Sequence, residues 1–430
     1  MQRRHFLSAS AATLGSITSF ASLGITGSAR AAGIAHAEIV VIGGGYGGAT
    51  AAKYLSLFSN RQARVTLIEP DDKFVSCPLS NLIVGGSQSL GDLTRSYDEL
   101  TKQYGIKRIR DYASSIDPVK KTIKLKSGHV LRYDKLVLSP GVSMIWESVQ
   151  GLTQANASGT TLQAWKAGPE TERLHKQIAA MQDGGVYALS IPEAPYRCPP
   201  GPYERVCQVA SYLKQHKPKS KIVVLDANQD IVSKGALFKK AWAELYPGMI
   251  DYLPSHNVVA VDAKSKTLKF DVQDDVKADV LNVLPSMRAG EIAVQTGLAN
   301  ASKRWVYVDF LTFESTAAKD IHVIGDATQN AQLMPKSGHM ANQHAKVAAA
   351  AIVAELNDWP VAPAPLITNT CYSFVDAKRV VHVASVHAYD AKEKTFKVVP
   401  GSGGLSSEPS ALEGTYAWSW ARNIWSDMLA

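Results

Sequence analysis

Apolar and polar positions alternate in short blocks along this chain, and the period of the pattern changes between blocks. Residues 38–42 form an apolar run of strand length. A glycine cluster, Gly43-Gly44-Gly45-Tyr46-Gly47-Gly48, follows at once, and then a helical pattern through Ala49, Ala52, Tyr54 and Leu55. A second strand is predicted over 64–68 and ends at Glu69. Further buried strands are predicted at 133–141, 184–190, 221–226 and 321–326, and helices at 203–213 and from about 340 to 356. Apolar strands alternating with helices predict an α/β chain with parallel sheets.

The first block carries chemistry. Gly43, Gly45 and Gly48 satisfy G-x-G-x-x-G between a strand and a helix. The first glycine permits the tight turn, the second lets backbone approach a pyrophosphate, and the third lets helix and strand pack closely. Tyr46 and Gly47 fill the turn, and the new helix offers free N–H groups to phosphates. Glu69, at the end of the next strand, is placed to accept hydrogen bonds from a ribose. This fingerprint does not separate FAD from NAD. The segment ending Ser139-Pro140-Gly141 resembles the crossover of two-dinucleotide flavoproteins. The strand closing on Gly325-Asp326 resembles the one whose aspartate bonds the ribityl chain of FAD in that superfamily. Together they favour FAD.

A second nucleotide fingerprint is expected after 184–190 and is missing. The loop holds Pro192, Pro195, Pro199, Pro200 and Pro202, and prolines remove N–H groups that would hold a pyrophosphate. The next strand still ends in an acid, Asp226. The domain is read as degenerate, with NAD(P)H as neither reductant nor oxidant.

The chain has 430 residues, which suggests two or three domains. Hydrophobic residues at 46% and charged residues at 20% exclude bulk disorder. No apolar run reaches the ~18 residues of a membrane span. The net charge of +8 is spread without a Lys/Arg block, so nucleic acid is not an expected partner. The opening Met1-Gln2-Arg3-Arg4, a weakly apolar stretch to about Gly27, and Ala29-Arg30-Ala31 read as a twin-arginine export signal. A periplasmic protein that folds around a cofactor before export is therefore expected. The expected parts are a signal at 1–31, an FAD domain at 36–147 and 287–360, a degenerate NAD-like domain at 148–286, and a C-terminal interface domain at 361–430. Within the last, 398–408 is expected to be a turn region, and the aromatics of 416–425 suit core packing, an interface or a quinone pocket.

The cysteines are Cys77, Cys198, Cys207 and Cys371. No C-x-x-C or C-x-x-C-H occurs, so neither c-type haem nor a zinc site is expected, and no metal site is assigned. Four cysteines allow three complete pairings, and spacing does not choose among them.

The contexts of three of them resemble a known family, the flavoprotein subunit of flavocytochrome c sulfide dehydrogenase. The resemblance rests on the 43–48 glycine loop, Cys77-Pro78-Leu79-Ser80-Asn81, and Arg197-Cys198-Pro199-Pro200-Gly201-Pro202-Tyr203-Glu204-Arg205. It extends to Gly325-Asp326, Met334-Pro335-Lys336-Ser337-Gly338 and Asn369-Thr370-Cys371-Tyr372-Ser373. It implies a glutathione-reductase-like fold with two dinucleotide-binding domains and a C-terminal α+β domain. It further implies FAD bonded covalently to Cys77, with Ser80, Asn81, Pro335 and Lys336 near the cofactor, and a redox-active disulfide of Cys198 and Cys371. Cys207 has no role in that pattern and is read as a buried helix thiol.

The implied chemistry is sulfide oxidation. Hydrosulfide attacks the disulfide, leaving a persulfide and a thiolate, and two electrons pass to the flavin. Glu204 is a candidate proton acceptor or a helix-dipole carboxylate. Lys336, before the 340–356 helix, is a candidate cation at the flavin edge or a surface lysine. With no haem in the chain, a cytochrome c subunit is the implied partner and acceptor, in a heterodimer. Two rivals are a sulfide:quinone oxidoreductase and a non-enzymatic flavoprotein accessory to thiosulfate oxidation.

Overall fold

The computed structural model describes residues 33–430, so the expected export signal at 1–31 lies outside the described residues. The first sheet has five parallel strands in the order Ile321–Val323, Lys135–Leu138, Glu38–Ile42, Arg64–Ile68 and Lys107–Ile109. Lys135–Leu138 is buried at every position, as parallel strands covered on both faces must be. The Tyr46–Phe58 helix packs against the long Gly338–Leu356 helix. Ser337 caps the latter by accepting from the Met340 N–H at 3.1 Å. Ile39, Val41, Leu67, Leu136 and Val137 have no more than traces of exposure, and burying each such side chain contributes about 1.5–3 kcal/mol.

A second parallel sheet runs Thr161–Leu162, Val280–Val283, Val186–Ile191, Lys221–Asp226, Ile250–Pro254. The Gly201–His216 helix starts two residues before the expected 203, because Pro202 sits in its first turn, where a missing N–H costs nothing. The C-terminal part is antiparallel: Leu366–Phe374 pairs with Val380–Asp390, which also pairs with Thr395–Val398 and Gly404–Leu405. The Ala411–Leu429 helix closes it, capped by Ser410. Among the described residues, no helix is long and apolar enough to cross a membrane.

This layout delivers chain segments from distant parts of the sequence to one place. The carboxyl end of the first sheet supplies the glycine loop and Gly325-Asp326. The start of the Gly201–His216 helix supplies Cys198 and Glu204, and the middle of Leu366–Phe374 supplies Cys371.

Candidate functional site

The glycine loop shows why each glycine is there. A Cβ on Gly48 would collide with the Gly43 carbonyl, and one on Gly43, at φ +95°, with the Ser139 carbonyl. Gly47 lies against the Ser139 hydroxyl. A Cβ on Gly45 would meet nothing within 4 Å, so that position faces open space at the helix N-terminus. The Gly44 N–H donates to Glu69 Oε2 at 2.6 Å, and the Asp71 N–H donates to Oε1 at 2.8 Å. Each Glu69 oxygen keeps a lone pair, and burial raises the carboxyl. Gly48→Ala is expected to destabilise the fold by about 3 kcal/mol through overpacking. Gly45→Ala is expected to change stability by under ~1 kcal/mol while lowering flavin content. Thermal melting and the flavin-to-protein absorbance ratio of the two variants check this contrast.

Tyr46 serves as a tie. Its hydroxyl pairs with Ser76 Oγ at 2.7 Å and accepts from Trp425 Nε1 at 3.0 Å. Arg95 lies over the Trp425 ring at 4.0 Å. This part of the C-terminal aromatic segment is therefore core packing, while Trp420 leans on Tyr372, beside Cys371. Ser139 and Pro140 stay at the glycine loop, where Pro140 packs on Gly290. Gly141 takes φ +62° and its carbonyl accepts from the Gly290 N–H at 2.9 Å.

Asp326 is half-buried, and its buried Oδ1 has no hydrogen-bond partner. Burial raises this carboxyl, while Arg197 and Lys336 oppose the shift. A buried, orphaned acceptor between two cations fits a cofactor hydroxyl. Lys336 Nζ donates to the carbonyls of Thr328 (2.6 Å) and Asp326 (3.0 Å) and lies 3.8 Å over the Trp305 ring. Burial pulls its ammonium down to about 7. Lys336 is thus no surface lysine. Its backbone carbonyl also accepts the Cys198 N–H at 2.9 Å, coupling the Pro335-Lys336 loop to the cysteine.

Cys198 sits at φ +59°, a left-handed conformation uncommon outside glycine and often found at functional sites. Cys371 lies opposite Val383 in its strand pair. The two come together as thiols, hydrogen-bonded to one another. That bond lowers Cys371 to about 7, with Lys234 adding to the effect, and it raises Cys198 together with burial. Cys77 hydrogen-bonds with Arg197, which also faces Cys198 and Asp326. Arg197 has no role in the sequence motif, and its folded contacts supply one.

Glu204 stitches the cluster. Oε1 accepts the Phe374 N–H at 2.8 Å and Oε2 accepts from Asn81 Nδ2 at 2.9 Å. Burial raises its carboxyl. Asn81, expected beside the cofactor, commits its amide within the protein: Nδ2 also donates to the Gly201 carbonyl, and Oδ1 accepts from Arg205 Nε. Ser80 is buried next to it, its N–H on the Cys77 carbonyl at 3.0 Å. Cys207 stands apart, fully buried, accepting from Trp242 Nε1 at 3.2 Å, and burial pushes its thiol up.

The acid of the second nucleotide position is bonded within the protein itself. Asp226 accepts from Tyr203 (2.7 Å), Tyr252 (3.0 Å), and the Asn228 backbone and side chain (2.9 and 2.7 Å). Its carboxylate is saturated and fully buried. Among the described residues no metal-holding cluster occurs.

Comparison with known proteins follows these lines. Residues 37–177 match the pyridine nucleotide-disulphide oxidoreductase family. Residues 171–285 match the central domain of the sulfide dehydrogenase [flavocytochrome c] flavoprotein chain, and 363–429 its flavin-binding domain. A solved sulfide:quinone oxidoreductase from Aquifex aeolicus superposes with a TM-score of 0.73 over 91% of each chain at 20% identity, which shows the fold. The mitochondrial sulfide:quinone oxidoreductase of Dictyostelium discoideum is 25% identical over 299 residues, 68% of this chain and 65% of the relative's length. A stretch of 46 residues, 11% of this chain, is 51% identical to the flavoprotein chain of sulfide dehydrogenase [flavocytochrome c] from Chlorobaculum thiosulfatiphilum and covers 94% of that sequence. Family models on two separate segments and this short, closely similar stretch agree, and the chain belongs to the family of flavocytochrome c sulfide dehydrogenase flavoprotein chains.

Proposed function

We propose that this chain oxidises sulfide with a bound FAD and a Cys198–Cys371 disulfide, and passes the electrons to a cytochrome c subunit in the periplasm. The observation that carries the reading is the meeting of Cys198 and Cys371, from different domains, in hydrogen-bond contact beside Glu204. FAD, when bound, supplies an acceptor that takes two electrons and releases them singly.

The residues of the chain do the rest. The disulfide is an electrophile, and hydrosulfide opens it to a persulfide and a thiolate. Glu204, with its carboxyl raised by burial, accepts a proton within the cluster. Arg197 and Lys336 concentrate positive charge around Asp326, and positive charge stabilises the negative charge that arrives with electrons. Asp326 Oδ1 and the open face of Gly45 would hold the cofactor's polyol and pyrophosphate. Cys77 would anchor it covalently. A second sulfur nucleophile releases the product as polysulfide. The twin arginines Arg3 and Arg4 support export.

A second reading, with quinone as acceptor, is favoured by the name of the Dictyostelium relative. One experiment separates the two. Sulfide added anaerobically is expected to bleach the flavin absorbance, and cytochrome c added without quinone is expected to restore it. Recovery with quinone alone supports the second reading, and no bleaching removes both. In the same preparation, acid denaturation is expected to leave flavin on the Cys77 peptide, and Cys77→Ser to release it.

A further inference from the structure

Lys234 belongs to none of the motifs read from the sequence. It occupies a left-handed residue, φ +58°, that caps the Gly235–Leu245 helix. Its side chain is buried, at 5% exposure. Nζ donates to Ser373 Oγ at 2.7 Å, to the Cys371 carbonyl at 3.0 Å and to the Val381 carbonyl at 3.4 Å. Among the described residues it makes no ion pair with a carboxylate. A buried ammonium held only by neutral acceptors is costly, and it calls for a negative charge. Glu204 lies close enough to act on it, but burial raises that carboxyl and weakens it as a counter-charge. The largest influence opposing the burial of Lys234 is Cys371.

We propose that Lys234 is the counter-cation of the Cys371 thiolate and so fixes the direction in which the Cys198–Cys371 disulfide opens. This rests on the sulfide-oxidising reading above. Hydrosulfide attacks Cys198 Sγ, a new S–S bond forms there, and the Cys198–Cys371 bond breaks. Its electron pair leaves on Cys371 Sγ. Cys198 becomes a persulfide that retains the hydrosulfide proton, and Cys371 becomes a thiolate, with one negative charge before and after. The disulfide is reduced by two electrons as the sulfide sulfur is oxidised, so no further oxidant enters the step. A thiolate held beside a cation is the better leaving group, and Lys234 Nζ lies against the Cys371 carbonyl and Ser373 Oγ, which selects Cys371.

The surroundings agree with this polarity. The thiol hydrogen bond and Lys234 both act to lower Cys371, to about 7, while burial and Glu204 oppose. Cys198 is raised by the same hydrogen bond and by burial, with Arg197 opposing. His339 accepts the Thr370 N–H at 2.9 Å, and burial lowers it to about 4, so it adds no charge near neutrality. His382, opposite Tyr372, is paired with Glu413 at 3.0 Å. Lys234 is a positioning residue: its bonds go to the Cys371 carbonyl and its neighbours.

The test uses the whole flavoprotein, reduced anaerobically with dithiothreitol. Brief iodoacetamide labelling from about pH 5.5 to 9 is read cysteine by cysteine by peptide mass spectrometry. Cys371 is expected to label about tenfold faster than Cys198 near neutrality. Lys234→Met is expected to move the Cys371 profile up by about one pH unit, and Lys234→Arg to restore it. Faster labelling of Cys198 in the unsubstituted protein overturns the proposal without any variant, so it stays testable if Lys234→Met does not fold. A folded Lys234→Met with an unchanged profile overturns it as well. In a second arm, the oxidised protein receives a brief pulse of sulfide and is alkylated. The extra sulfur is expected on Cys198, and finding it on Cys371 reverses the assigned direction. If the unsubstituted protein neither bleaches nor gains sulfur, the sulfide reading fails, while the labelling profiles still judge the Lys234–Cys371 pair.

Discussion

Cys371→Ser is expected to lower the rate of sulfide-dependent flavin bleaching by about a thousandfold or more, and Cys198→Ser to do the same. Disulfide exchange needs two sulfurs, and a serine oxygen neither forms the electrophilic bond nor leaves from it. The substitutions are nearly isosteric and the hydroxyl replaces the thiol in the mutual hydrogen bond. Flavin content, and melting temperature measured against the dithiothreitol-reduced parent that also lacks the cross-link, should therefore stay close to those of the parent, which separates lost chemistry from lost fold. Stopped-flow absorbance at the flavin band reads the rate. Cys207→Ala, at a thiol packed under Trp242 and away from the cluster, is expected to bleach at the parent rate. A parent-like rate in either serine variant would remove the disulfide from the mechanism.

Arg205→Met is expected to cost about 3–5 kcal/mol of unfolding free energy. Arg205 is among the most deeply buried large side chains, at 1% exposure. Its guanidinium donates to Asn81 Oδ1 (3.0 Å), the Gln163 carbonyl (2.9 Å), Asn282 Oδ1 (2.9 Å) and the Ala164 carbonyl (2.6 Å), and it lies 4.9 Å over the Trp165 ring. Methionine fills much of the volume but strands those acceptors without water. Asn81 is one of them and holds Glu204, so the sulfide rate falls along with stability. Denaturant titration monitored by tryptophan fluorescence measures the loss. A change under ~1 kcal/mol would show that the buried network adds little net stability.

Local patterns made the framework readable. The strand over 38–42, the glycine turn and the strand over 64–68 lie where turn chemistry and apolar runs put them, because each depends on neighbours in sequence. The start of the Gly201–His216 helix is hidden in the sequence because Pro199, Pro200 and Pro202 read as loop, although proline is at home in a first helical turn. The Gly338–Leu356 helix begins two residues before the expected 340, because Ser337 caps it there. Three contacts had no local signal. The tie from Trp425 to Tyr46, the reach of Lys234 to Cys371, and the network around Arg205 each join distant segments. No periodicity encodes them. The pairing of Cys198 with Cys371 came from family resemblance and not from spacing, because four cysteines leave three pairings equally open.

The saturated Asp226 has a consequence for what this protein can become. A mutation that merely restored glycines after Ile191 would still find the acid occupied by Tyr203 and Tyr252. Removing one tyrosine first takes a donor from a buried carboxylate, and so lowers stability before any nucleotide affinity is gained. Each single step back toward a dinucleotide site therefore runs uphill, and the change acts as a ratchet. The same four bonds that steady this strand end thus make the acid costly to free for a ribose.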